Sequence, residues 1–142
     1  MRRAIAACLL LAACATRPSA AAPPERLAGC WVNRDTLAAV TMRWLPNRER
    51  AGVLAGSRID YSQAGGARST RYTLEPSDVG YSLCELDSAG AATRCWQVAE
   101  GEGGSLEGGR VFIDTHGDRL RITIIGDGPD RVIFHGRRDG CD

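Results

Sequence analysis

The sequence predicts an all-β domain, a single antiparallel up-and-down β-barrel of about 8–10 strands, spanning residues 25–142. Three observations predict it. Apolar and polar residues alternate in Val40-Thr41-Met42-Arg43-Trp44 and in Arg119-Leu120-Arg121-Ile122-Thr123-Ile124, which puts one set of side chains on a core face. Turn chemistry recurs between such runs, at Pro46-Asn47, Ala64-Gly65-Gly66, Pro76-Ser77-Asp78, Ser88-Ala89-Gly90, Gly101-Glu102-Gly103-Gly104, His116-Gly117-Asp118 and Gly126-Asp127-Gly128-Pro129. Four cysteines of the domain pair in a way that brings its two ends together.

Residues 1–13 read as a lipoprotein signal peptide. Arg2 and Arg3 open a basic start, Ile5 to Ala13 form an apolar run too short to span a bilayer, and Leu11-Ala12-Ala13-Cys14 resembles a lipobox. Cys14 is then the lipidation site, and its acyl chains hold the protein on a bilayer without a transmembrane helix. An ordinary signal peptide cut after Ala20-Ala21-Ala22, with Cys14 lost, is the alternative, and both export the chain. Ala15 is not the aspartate that resembles an inner-membrane retention signal, so the expected location is the periplasmic face of the outer membrane. Residues 14–24, rich in Ala and Pro, read as a flexible tether.

Charge excludes little but points away from nucleic acid. The chain carries 18 basic and 17 acidic residues, a formal net charge of +1. Every basic residue is arginine, which reflects base composition and carries no functional weight.

With Cys8 in the signal and Cys14 given to lipid, Cys30, Cys84, Cys95 and Cys141 remain. In an exported chain they make two disulfides. Folding 84–95 as a hairpin about Ala89-Gly90 sets Cys84 opposite Cys95, Glu85 opposite Arg94, Leu83 opposite Trp96 and Tyr81 opposite Val98. That register predicts a Cys84–Cys95 bridge on one face and Tyr81, Leu83, Trp96 and Val98 on the core face, with Glu85 and Arg94 paired toward the rim. By elimination Cys30 joins Cys141. A metal site is the rival for these thiols, but they lack close C-x-x-C spacing. Strands are expected near 29–34, 38–45, 52–61, 67–75, 80–87, 93–100, 105–114, 119–126 and 131–138; no stretch has a helical period, and Asp35 to Ala39 makes a turn of helix at most.

Leu27-Ala28-Gly29-Cys30-Trp31, Trp44-Leu45-Pro46 and Gly52-Val53-Leu54-Ala55-Gly56-Ser57-Arg58 together resemble a family of small bacterial secreted β-barrel domains of unknown function, calycin-like in architecture. The resemblance covers the first half of the domain and implies a fold and an exported location, not a reaction. Where that family usually carries an acid two residues before the second tryptophan, this chain has Met42. Gly29-x-Trp31, with Arg137 or Arg138 after the last strand, also resembles the closed end of a lipocalin barrel, where an arginine, here Arg137, lies across the tryptophan.

Function turns on whether the barrel is filled. Trp31, Trp44, Tyr72, Tyr81, Leu83, Trp96, Phe112 and Phe134 are the candidates for its interior, where they either pack it solid or line a pocket for a small apolar or amphipathic ligand. The first expectation is such a ligand-binding barrel, and the alternative is a packed structural or protein-interaction module of the cell envelope. Gly52, Gly56 and Gly108-Gly109 read as bulges and bends, because no helix follows them. No catalytic set is legible: Ser57, Ser62, Ser69 and Ser82 lie outside any nucleophile elbow, and Asp60, Glu75, Glu85 and Asp114 read as surface charge. No cofactor is expected, with haem bound by His135 inside the barrel as the minor alternative; His116 faces solvent from a turn.

Overall fold

The computed structural model describes residues 23–35, 38–78, 80–98, 109–126 and 128–141. The expected signal peptide and lipidated Cys14 lie outside the described residues.

Nine strands close on themselves as β1 (Gly29–Asn33), β2 (Val40–Pro46), β3 (Leu54–Asp60), β4 (Arg68–Ser77), β5 (Gly80–Leu86), β6 (Ala92–Val98), β7 (Arg110–His116), β8 (Arg119–Ile125) and β9 (Arg131–Asp139). Each hydrogen-bonds to its neighbours in chain order, and β9 returns to β1 through Cys30↔Asp139, Trp31↔Arg138 and Val32↔Arg137. Closure is tight along most of the ring, but two seams are short: three residue pairs join β9 to β1, and two join β6 to β7.

The barrel is not antiparallel throughout. Strands β6 and β7 run parallel through Gln97↔Arg110 and Val98↔Val111. Parity requires this, since a walk around nine strands regains its starting direction only if an odd number of pairings is parallel. The step falls where the chain between Val98 and Arg110 is long, as a parallel connection needs.

A short helix, α1 (Pro23–Leu27), precedes β1 and straddles the boundary expected between tether and domain. Five residues cannot display a helical period, so the sequence reading has no helix here. Prolines at its start supply the fixed φ that a first helical turn needs. Leu27 is fully buried, and its carbonyl accepts the Trp31 indole N–H at 2.9 Å.

The β5–β6 hairpin has the expected register over Leu83↔Trp96, Cys84↔Cys95 and Glu85↔Arg94. The ladder ends at Ser82↔Gln97, one pair short of Tyr81 and Val98, and a bulge between Glu85 and Leu86 sets Leu86 against Ala92. The turn is tied by Asp87, whose carboxylate accepts the Ala91 N–H and whose carbonyl accepts that of Gly90. Both disulfides are present, Cys84–Cys95 with Cα atoms 4.0 Å apart and Cys30–Cys141 at 5.3 Å.

Candidate functional site

Inward positions follow from strand alternation. Leu27, Trp31, Met42, Trp44, Leu54, Tyr72, Leu74, Leu83, Trp96, Val98, Val111, Leu120, Ile122, Ile124 and Phe134 form one continuous buried cluster. Trp31, Trp44 and Trp96 are each at most 1% exposed. One transverse row explains the packing: Trp44 lies opposite Gly56, Gly56 opposite Tyr72, and Tyr72 opposite Glu85. Gly56 is neither bulge nor bend. A Cβ there would stand 2.5 Å from the Trp44 ring, so the missing side chain is the space that the indole occupies. Trp44 and Tyr72 pack with ring centres 6.3 Å apart. Met42 is core as well.

Of the residues expected inside, Trp31, Trp44, Tyr72, Leu83, Trp96 and Phe134 are in the cluster and Tyr81 packs against it. Phe112 is not. It falls between Val111, which is fully buried, and Ile113, which packs on the core, so alternation turns its ring outward. His135 likewise follows the inward Phe134 and points outward, its side chain 54% exposed, which removes the geometry for haem inside the barrel.

One end of the barrel is closed by Trp31. The arginine over its ring is Arg138, not Arg137, with the guanidinium carbon 4.3 Å from the ring centre. Register decides between them: Arg138 is directly opposite Trp31 and shares its face, whereas Arg137 is opposite the outward Val32.

A second concavity, of about 250 Å³, is lined by Arg58 and Asp60 of β3, Thr70 and Tyr72 of β4, Glu85 of β5 and Arg131 of β9. Because β9 is no neighbour of β3, β4 or β5, this hollow lies across the lumen, at the barrel's mouth. It is charged. The Ser62 hydroxyl and backbone N–H donate to Asp60, and Arg58 pairs with it at 2.9 Å, which together hold the carboxyl at about 2 against an ordinary 3.8. Burial pushes the Tyr72 phenol up, and the neighbouring Glu85 adds to the shift. Arg58 Nε and Trp44 Nε1 are buried with no hydrogen-bond partner among the described residues.

A third region lies on the outer face of β7, β8 and β9, where a groove of about 620 Å³ opens beside the point at which β1 leaves β9. His116, Arg119 and Arg137 stand opposite one another across three strands, and Asp114, Arg121 and His135 form the adjacent row. All six are exposed. The groove's wall is fixed by Asn33: its carbonyl oxygen accepts the Asp35 N–H at 2.8 Å, leaving the amide nitrogen to donate to His135 Nε2 at 3.0 Å. The Asp35 carboxylate lies 3.7 Å from the same ring nitrogen.

The carboxylates that sequence grouped together are dispersed. Asp60 and Glu85 meet at the mouth, Glu75 pairs with Arg50 at 2.8 Å, and Asp114 lies on the outer groove. The outer cluster is what sequence reading missed. Its arginines are visible in the alternation of 119–121, but their adjacency to both histidines needs the β7–β8–β9 register. No family model, curated protein or solved structure matches this chain, and its closed barrel stands on the geometry above.

Proposed function

We propose that this protein is an exported recognition module, anchored through an acylated Cys14 to the periplasmic face of the outer membrane, with a packed barrel that binds its partner on the outside. The observation that carries the reading is the continuous cluster of three buried tryptophans with Tyr72, Phe134 and nine aliphatic or Met side chains contributed by the strands, together with Leu27. A barrel of this size either is filled by side chains or holds one small ligand, and here the buried cluster occupies the interior. The outer groove, at about 620 Å³, is larger than the mouth and falls in the range of small-ligand sites. Two disulfides suit an oxidising, exported setting.

A small amphipathic ligand at the lumen is the second reading. Trp44 Nε1 favours it, because a buried N–H without an acceptor is a donor that a ligand oxygen would satisfy. Native mass spectrometry of the mature protein, extracted gently from its membrane, separates the two. The expected result is an N-terminal peptide beginning at acylated Cys14 and a protein carrying no stoichiometric small molecule. A molecule released on denaturation would overturn the packed-barrel reading, and an N-terminus at Pro23 would overturn the anchor.

A further inference from the structure

We propose that the outer face of β7–β9 is a binding site for the phosphate group of a hydroxyl-bearing phosphate ester. The inference deepens the outside-recognition reading and rests on it.

Neighbouring strands are about 4.8 Å apart, and residues two apart along a strand are separated by about 6.7 Å. The rows His116–Arg119–Arg137 and Asp114–Arg121–His135 therefore root three arginines and both histidines of the chain on one face, their Cα atoms within roughly 10 by 7 Å. All three arginines line the same groove, and side chains that long are able to turn toward one ligand above it.

Two features distinguish this patch from ordinary surface charge. Arg119 and Arg137 are directly opposed, and like charges in that position destabilise a sheet. Asp114 stands opposite Arg121, but no hydrogen bond or ion pair holds Arg119, Arg121 or Arg137 among the described residues. By contrast, Arg34 pairs with Asp139, Arg50 with Glu75 and Arg58 with Asp60. An anion between the guanidinium groups converts this repulsion into charge-assisted hydrogen bonds. A phosphate monoester, with three free oxygens and a charge of about −2, offers more acceptor sites and more charge to several guanidinium forks than a single carboxylate does.

The groove's two carboxylates define the rest of the ligand. Asp114 and Asp35 would repel a bare polyanion lying along the groove, but each accepts a hydrogen bond from an alcohol. The fitting chemistry is one phosphate held over Arg119 and Arg137, with hydroxyl groups reaching toward Asp35 or Asp114. A free sugar or polyol phosphate has it, and so does a phospholipid headgroup that ends in a phosphate monoester, as in phosphatidylglycerol phosphate.

The test uses the mature protein with both disulfides intact. Side-chain resonances of His116, His135 and the arginines are followed by NMR during titration with glycerol phosphate at constant ionic strength. In parallel, sedimentation measures binding to phosphatidylcholine vesicles with and without phosphatidylglycerol phosphate. Saturable shifts confined to the patch are expected, with affinity falling about tenfold in R119A and again in R137A. Thermal stability of these variants should be equal to or above wild type, because each relieves the opposed pair, and R43A on β2 should bind as wild type does. Binding of the free ester supports a soluble ligand, and binding of the charged vesicles alone supports a headgroup. No saturable binding to either probe, or undiminished binding in the R119A/R137A variant, overturns the proposal. A lumen ligand found by native mass spectrometry would sink the packed-barrel reading while leaving this titration's outcome intact.

Discussion

Arg138 is clamped over Trp31. Its guanidinium carbon is 4.3 Å from the ring centre, and its terminal nitrogens donate to the Ala28 carbonyl at 3.0 Å and the Arg26 carbonyl at 2.9 Å. One side chain thus ties the last strand, the first strand and the segment leading into it. The clamp also accounts for Gly29, where a Cβ would stand 2.7 Å from an Arg138 terminal nitrogen and the backbone φ of 129° already disfavours other residues. Replacing Arg138 by Ala is expected to lower stability by about 1–2 kcal/mol in denaturant unfolding. Arg138→Lys should recover little of it, because an ammonium lacks the planar fork that reaches two carbonyls while stacking on a ring. Arg137→Ala, on the outer face, should leave the midpoint nearly unchanged; a drop equal to that of Arg138→Ala would contradict the assignment.

Two other glycines are sites of close approach. At Gly136 a Cβ would meet the Val32 carbonyl oxygen at 2.5 Å and the Phe134 ring at 2.8 Å. A backbone carbonyl in the β1–β9 seam cannot step aside, so Gly136→Ala is expected to cost roughly 3 kcal/mol or more. At Gly56 the nearest atoms to an added Cβ belong to the Trp44 ring, and Gly56→Ala is expected to cost roughly 1–3 kcal/mol, with a change in tryptophan fluorescence reporting the displaced indole.

The disulfides should contribute unequally. Cys84–Cys95 closes a short loop, with a sequence separation of 11, whereas Cys30–Cys141 spans 111. Chain entropy assigns about 3 kcal/mol to the first and about 4.7 kcal/mol to the second. Unfolding of the two double Cys→Ser variants in oxidising buffer measures the difference. Reduced wild type should match a variant lacking both bridges, and a smaller loss from removing Cys30–Cys141 would show that residual structure already keeps the two ends close in the unfolded chain.

Asp60 is expected to make stability depend on pH at the acid end. Its carboxyl is held at about 2 rather than 3.8 by Ser62 first and then by Arg58. A group whose folded value is depressed stabilises the protein above its unfolded value, and that contribution disappears as the pH falls from 3.8 toward about 2. Urea midpoints of wild type should therefore drop across that window. Asp60→Asn should be less stable than wild type at neutral pH, with the gap narrowing through the same window. A constant gap would mean that Asp60 acts through packing instead.

Much of the architecture is legible in short stretches of sequence because it depends on local geometry. Period-two alternation in 40–44 and 119–124 marks strands, and the hairpin between Cys84 and Cys95 can be folded on paper because its turn is short and both arms carry matching partners. The phase of β7 is harder to read. Phe112 is as apolar as Val111 and Ile113, so in Val111-Phe112-Ile113 alternation of hydrophobicity is absent and the wrong residue is assigned to the core. The parallel step and the choice of Arg138 over Arg137 depend on how distant strands align, which no local pattern encodes.

The sequence by itself determined the class of fold, the pairing of four cysteines and most of the buried side chains, since hydrophobic periodicity and turn chemistry act over a few residues. Only the tertiary structure decided what stands beside what on the barrel's surface. His116 and His135 are far apart in the chain, and they share one groove with Arg119, Arg121 and Arg137 because three strands align at a particular register. A shift of one residue in either pairing would turn those side chains to the opposite face and dissolve the cluster.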